Sequence, residues 1–104
     1  MSEFADAALV AQARMRALFP PTPLLRNDYL SARYAADIRL KREDLSPVRS
    51  YKIRGAFNAM RKVLEERPEQ ALFVCASAGN HAQGVAYVCR HFGVKGVVFM
   101  PVTT

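Results

Sequence analysis

Residues 71–100 constrain the fold of this chain more than any other stretch. Ala71-Leu72-Phe73-Val74-Cys75-Ala76 is an unbroken apolar run of strand length, the pattern expected of a strand covered on both faces. The turn from Ser77 to Asn80 leads into a helical segment that reaches about Phe92, where Gly93 marks a C-terminal cap. Val94-Lys95-Gly96-Val97-Val98-Phe99-Met100 then reads as a second buried strand. Strand, tight turn, helix and strand in this order form a βαβ unit, which requires parallel strands and a right-handed crossover. The fold class is therefore α/β. Two parallel strands without further neighbours would leave open edges that invite association. Because α/β folds bind ligands outside the carboxyl ends of their strands, residues 77–81 fall on the ligand side.

The preceding residues supply helices to flank that sheet. From Phe4 to Leu18 the chain is rich in helix formers, with apolar residues at 4, 7, 8, 11, 15 and 18, so an amphipathic helix is expected to end before Pro20-Pro21-Thr22-Pro23. Thr22 to Leu25 reads as extended, and residues 27–35 as a turn and short helix capped by Asn27 or Asp28. Residues 37–42 alternate polar and apolar side chains as a half-buried strand does, and Glu43 to Pro47 reads as loop. Gly55 to Glu66 is expected to be helical, with Ala56, Phe57, Met60, Val63 and Leu64 on one face, which puts Lys52 at or just before a helix N-terminus. Met15, Met60 and Met100 read as core filler, Glu65-Glu66 as solvated helix surface, and His91 as a polar residue near a helix end.

At 104 residues the chain has room for one small core, and 51% apolar residues without low-complexity tracts make it globular. The net charge of +6 raises nucleic-acid binding, but the 15 basic residues are scattered, interleaved with nine acids and unaccompanied by aromatic stacking positions, so no nucleic-acid partner is expected. No apolar run approaches the roughly 20 residues of a membrane span. Glu3 and Asp6 stand where a secretory signal would be basic, which points to the cytoplasm. Cys75 and Cys89 lack ligand or disulfide spacing and read as buried free thiols, with no metal site.

Two stretches carry chemical potential. Ser50-Tyr51-Lys52-Ile53-Arg54-Gly55-Ala56 offers one lysine at a helix start, and Ser77-Ala78-Gly79-Asn80-His81-Ala82-Gln83-Gly84 offers a turn rich in donors at another. A helix N-terminus exposes unpaired N–H groups and the positive end of the dipole, so the second stretch suits an anion, with Ser77, Asn80 and His81 orienting a carboxylate or phosphate. The alternative is that Ser77 or Asn80 merely caps the helix and His81 lies on its surface. Lys52 is either a solvated surface charge or, if burial and the nearby Arg49 and Arg54 favour its neutral form, a nucleophile. A binding module that holds an anion without chemistry is the plainer reading of the same turn.

Thr22-Pro23-Leu24, Leu40-Lys41-Arg42-Glu43-Asp44-Leu45 and the two stretches above occur in an order and at spacings that resemble the pyridoxal-phosphate enzymes of the tryptophan-synthase β-like fold (fold type II), and among them the threonine dehydratase family. The resemblance covers nearly all of the chain. It implies that Lys52 holds pyridoxal 5'-phosphate as a Schiff base and shuttles the substrate Cα proton. Tyr51 stands where the family has an aromatic residue, usually Phe, beside the cofactor ring. Asn80 matches the asparagine that bonds the cofactor 3'-hydroxyl, and Ser77, Gly79, Asn80 and His81 form the loop that receives the substrate carboxylate. The implied reaction is loss of water from L-threonine, or from L-serine, to give a 2-oxo acid and ammonia, the first step of isoleucine biosynthesis; a serine racemase or serine dehydratase is the sibling alternative. The resemblance also implies that residues 1–104 form the N-terminal portion of a catalytic domain. In that case the glycine-rich phosphate loop, the residue facing the pyridine nitrogen and any regulatory domain lie beyond Thr104, the full-length enzyme is a homotetramer, and the 104 residues alone are inactive.

Overall fold

A computed structural model describes Ser2 to Thr103. Helix α1 (Glu3–Met15) is capped by the Ser2 hydroxyl, which accepts from the Ala5 N–H at 3.2 Å. It ends a turn earlier than the periodicity suggests, and of its apolar stripe only Met15 is buried; Phe4 is 82% exposed. Strand β1 (Leu24–Arg26), helix α2 (Asp28–Tyr34, capped by Asn27) and strand β2 (Arg39–Lys41) follow. β1 and β2 pair antiparallel, Leu25 opposite Leu40. All their residues are exposed, so the half-buried strand expected at 37–42 has no covering layer.

A 3₁₀ turn (Glu43–Leu45) leads to helix α3 (Lys52–Glu66), which begins three residues before the expected start, so that Lys52 is its first residue. Strand β3 (Leu72–Ala76), helix α4 (Asn80–Phe92) and strand β4 (Lys95–Phe99) form the expected βαβ unit. β3 and β4 are parallel, Val74 opposite Val97, and Gly93 closes α4 at φ 68°, in the left-handed region that glycine enters without cost.

The core lies between α3, α4 and the inner face of β3–β4. Phe57, Ile53 and Val88 are fully buried there, with Phe73 and Cys75 from β3 packed against them. Phe57 stacks on Phe92 at 5.5 Å; His91, exposed in the last turn of α4 as expected, also sets its ring edgewise to both. Met15 and Met60 are core, whereas Met100 is 54% exposed. The other sheet face is uncovered: Leu72, Val74 and Phe99 are 43%, 57% and 63% exposed. The strands expected to be covered on both faces are therefore covered on one, because no element among the described residues lies across the second. The radius of gyration, 16.6 Å, reflects that openness, since a closed domain of this length has about 13 Å. Cys89 is buried and Cys75 half-buried; both are free, and burial pushes the Cys89 thiol up.

Helices α3 and α4 approach closely at Gly84. A Cβ there would stand 3.2 Å from the Lys52 carbonyl carbon and 3.3 Å from the Ile53 nitrogen, backbone atoms that yield only if the helices separate. A Cβ at Gly55 would meet nothing within 4 Å. Both substitutions gain about 1 kcal/mol of helix propensity, but at Gly84 an overpacking cost of about 1–3 kcal/mol opposes it. Gly55→Ala is accordingly expected to raise the thermal midpoint and Gly84→Ala to lower it, which paired melts by circular dichroism check.

Candidate active site

Three short segments meet at the start of α3. Thr22 is buried behind Pro21 and Pro23, and its hydroxyl donates to the Glu43 carboxylate. The Arg54 guanidinium clasps the same carboxylate with two bonds, Nε at 2.7 Å and Nη2 at 2.9 Å, and also reaches the Thr22 hydroxyl at 3.3 Å. Phe19 lies under the guanidinium at 5.1 Å, and Lys41 Nζ donates to the Thr22 carbonyl at 2.6 Å. The Arg54 guanidinium holds the Glu43 carboxyl below its ordinary value, against a smaller upward push from burial. Arg54 therefore gives its charge to Glu43 and does not stand free beside Lys52.

The loop into Lys52 is fixed from the other side. Buried Ser46 donates its hydroxyl to the Ser50 carbonyl at 2.7 Å and accepts the Ser50 N–H at 3.1 Å. Arg49 between them takes φ 61°, a left-handed conformation that costs a non-glycine residue about 1 kcal/mol. The Ser50 hydroxyl then accepts the Lys52 N–H at 3.4 Å. Lys52 is half-buried, its Nζ lies 5.1 Å from the centre of the Tyr51 ring, and among the described residues it has no carboxylate partner. Arg49 enters no ion pair among the described residues, and its charge bears on the Asp44 carboxylate.

Lys52 opens into a cleft of about 310 Å³ lined by Tyr51, Lys52, Arg54, Gly55, Ala56 and His81. A smaller cleft of about 190 Å³ continues from Gly55, Ala56 and His81 toward β3. The two stretches singled out in the sequence thus share one opening, through Tyr51 and Lys52 on one side and His81 on the other. Asn80 is the first residue of α4, exposed next to His81. Ser77, Gly79 and Asn80 do not line the cleft. The Ser77 hydroxyl accepts the Gly79 N–H at 3.2 Å, and the Ser77 N–H extends the sheet ladder to the Phe99 carbonyl at 3.0 Å. The Gly79 N–H is thus spent inside the loop, and the outward donors are the first N–H groups of α4, which have no intrahelical partner.

This arrangement can hold an aldehyde at the Lys52 amine and an anion at the start of α4. Pyridoxal phosphate fits the first requirement, and a Cβ at Gly55, which lines the cleft, would meet nothing within 4 Å, so that wall is open. The five glycines of the sequence form no glycine-rich run of the kind that grips a cofactor phosphate. Two elements escaped sequence reasoning: Gly84 as the point of helix contact, and the Thr22–Glu43–Arg54 assembly. A glycine inside a helix costs about 1 kcal/mol and signals a close approach. Two cations with no acid in the first turn of α3 signal that an acid must come from elsewhere.

Comparison with known proteins gives this geometry a context. Residues 16–104 match the family described as pyridoxal-phosphate dependent enzyme. The chain is 59% identical over 83 residues to the biosynthetic L-threonine dehydratase IlvA of Bacillus subtilis, which covers 80% of the chain and 19% of that relative. Against the processed form of threonine deaminase isoform 2 from Solanum lycopersicum it superposes with a TM-score of 0.83 at 34% identity, over 100% of this chain and 29% of that one. Maize serine racemase superposes with a TM-score of 0.82 at 28% identity, over 92% and 30%. These likenesses make the α/β fold tryptophan-synthase β-like. The chain spans about a fifth of the length of the curated relatives it matches.

The lowered Glu43 carboxyl has a consequence for stability. A depressed folded value adds stability that is complete above the unfolded carboxylate value of 4.5 and is lost as pH falls through the folded value. Glu43→Gln is expected to cost about 2 kcal/mol at neutral pH, the scale of a hydrogen bond to a charged group. Melts of both proteins across pH check it: the gap should hold at neutral pH and shrink below pH 4.5.

Proposed function

The chain belongs to the pyridoxal-phosphate-dependent enzyme family, and we propose that within it the chain carries the lysine and substrate side of a threonine dehydratase. The observation that carries this reading is the shared cleft, which Lys52 and His81, the second residue of α4, both line. In this proposal residues 1–104 are the N-terminal portion of the catalytic domain, and residues outside them hold the cofactor phosphate. The resemblance extends the proposal to a homotetramer in the cytoplasm that serves isoleucine biosynthesis.

Bound pyridoxal phosphate supplies an electron sink for the charge left when the Cα proton departs. Lys52 would hold the cofactor through its amine, and the same nitrogen, when free, would move the Cα proton. Asn80 would donate to the cofactor hydroxyl, and Tyr51 would stand beside its ring. His81, with Asn80 and the first N–H groups of α4, would position the substrate carboxylate at the positive end of that helix, which fixes the bond to be broken relative to Lys52, while the Ser77–Gly79 bond shapes the turn behind them. For threonine the Cα–H and Cβ–OH bonds break, water leaves, and the released enamine is hydrolysed to a 2-oxo acid and ammonia.

A serine racemase activity is the second reading, favoured by the likeness to the maize enzyme. Product analysis of the full-length enzyme separates the two: a 2-oxo acid from threonine supports dehydration, and D-serine from L-serine without oxo acid supports racemisation. For the chain itself, pyridoxal phosphate followed by borohydride should leave a stable adduct on the Lys52 peptide that Lys52→Ala removes. Rapid threonine turnover by these 104 residues would contradict the assignment of the phosphate grip to other residues. Anion binding that survives Lys52→Ala with no adduct at Lys52 would instead favour a module without chemistry.

A further inference from the structure

We propose that Glu43, together with Thr22 and Arg54, is a positioning residue that sets where Lys52 projects; this inference rests on the cofactor reading of Lys52. Helix α3 starts with Lys52-Ile53-Arg54, two cations at the positive end of its dipole and no acid in its first turn. Left alone, that turn would fray. Glu43 brings the missing carboxylate from the preceding 3₁₀ turn and grips Arg54 with two bonds at 2.7 and 2.9 Å, so the guanidinium fork fixes direction as well as distance. The grip is well shielded, with the Glu43 and Arg54 side chains 19% and 29% exposed.

Glu43 is in turn held by the hydroxyl of buried Thr22, and Phe19 supports the Arg54 guanidinium from below. The anchor sits two residues after Lys52. Two residues before it, Ser50 is held by the buried Ser46 hydroxyl, and Gly84 of α4 presses against the Lys52 carbonyl. The Lys52 backbone is thus fixed on three sides, while its amine alone is left without an ionic partner among the described residues. Arg54 also lines the Lys52 cleft, so a guanidinium released from Glu43 would be free to swing into the space the lysine needs.

The test uses the full chain and two readouts. After pyridoxal phosphate and borohydride, peptide mapping measures the share of adduct on Lys52 against Lys41, Lys62 and Lys95; amide hydrogen exchange reports the first turn of α3 independently of cofactor. Glu43→Gln should lower the Lys52 share roughly tenfold or more, the scale at which a displacement of about 1 Å degrades a reacting geometry. It should also speed exchange at the Lys52 and Arg54 amides relative to residues 60–66. Thr22→Ser should behave as wild type and Thr22→Val as Glu43→Gln. Met60→Ala, a core truncation two turns along α3, should lower the melting point without changing the Lys52 share. If Glu43→Gln leaves both readouts at wild-type values, or if Met60→Ala lowers the Lys52 share equally, the proposal is overturned. If the wild-type adduct does not favour Lys52, the cofactor reading fails instead, and exchange at Lys52 and Arg54 alone decides the positioning claim.

Discussion

The structure depends on the contact between α3 and α4 where Gly84 meets the backbone of Lys52. Two helices pack at a distance set by the side chains between them, and a residue without Cβ lets them approach until backbone meets backbone. That approach occurs at the first residue of α3 and one turn into α4, so the two helix N-termini open on the same side. The core below it, Ile53 and Phe57 against Val85 and Val88, keeps the helices from sliding apart. The cleft at Lys52 and His81 is thus a by-product of core packing.

A second layer of order comes from polar groups that are satisfied in pairs. Thr22, Glu43 and Arg54 come from three segments that share no regular element, and each would be costly to shield from water without the others. Their mutual bonding ties the proline-rich segment and the 3₁₀ turn to α3. The fold holds a reactive lysine at the junction of a packed layer and a hydrogen-bonded one, and both must be intact for its direction to be defined.

Much of this was legible in the residues. The apolar runs at 71 and 94, the glycine at 93 and the donor-rich turn between them located β3, α4 and β4 to within two residues, because period and caps are local properties. Covering was not legible. A continuous apolar run predicts that both faces of a strand are buried but not where the burying element lies, and here Leu72, Val74 and Phe99 face outward. The stripe of α1 misled for the same reason, since a helical period shows which side is apolar without supplying a partner for it. Lys52 and His81 were singled out by type and position, yet their sharing of one cleft and the capture of Arg54 by Glu43 depend on contacts distant in sequence. Nor was it legible that the Gly79 N–H bonds the Ser77 hydroxyl within the turn, a local bond that the chemistry of serine permits.

The central claim is that the Lys52 turn and the start of α4 form one binding site. Backbone NMR of the isotopically labelled chain during titration with pyridoxal phosphate tests it most directly. The account predicts concerted shifts at residues 51–56 and 77–84, with Leu24–Arg26 and Asp28–Tyr34 unmoved. Shifts confined to one of the two stretches, or centred on the exposed lysines elsewhere in the chain, would contradict it.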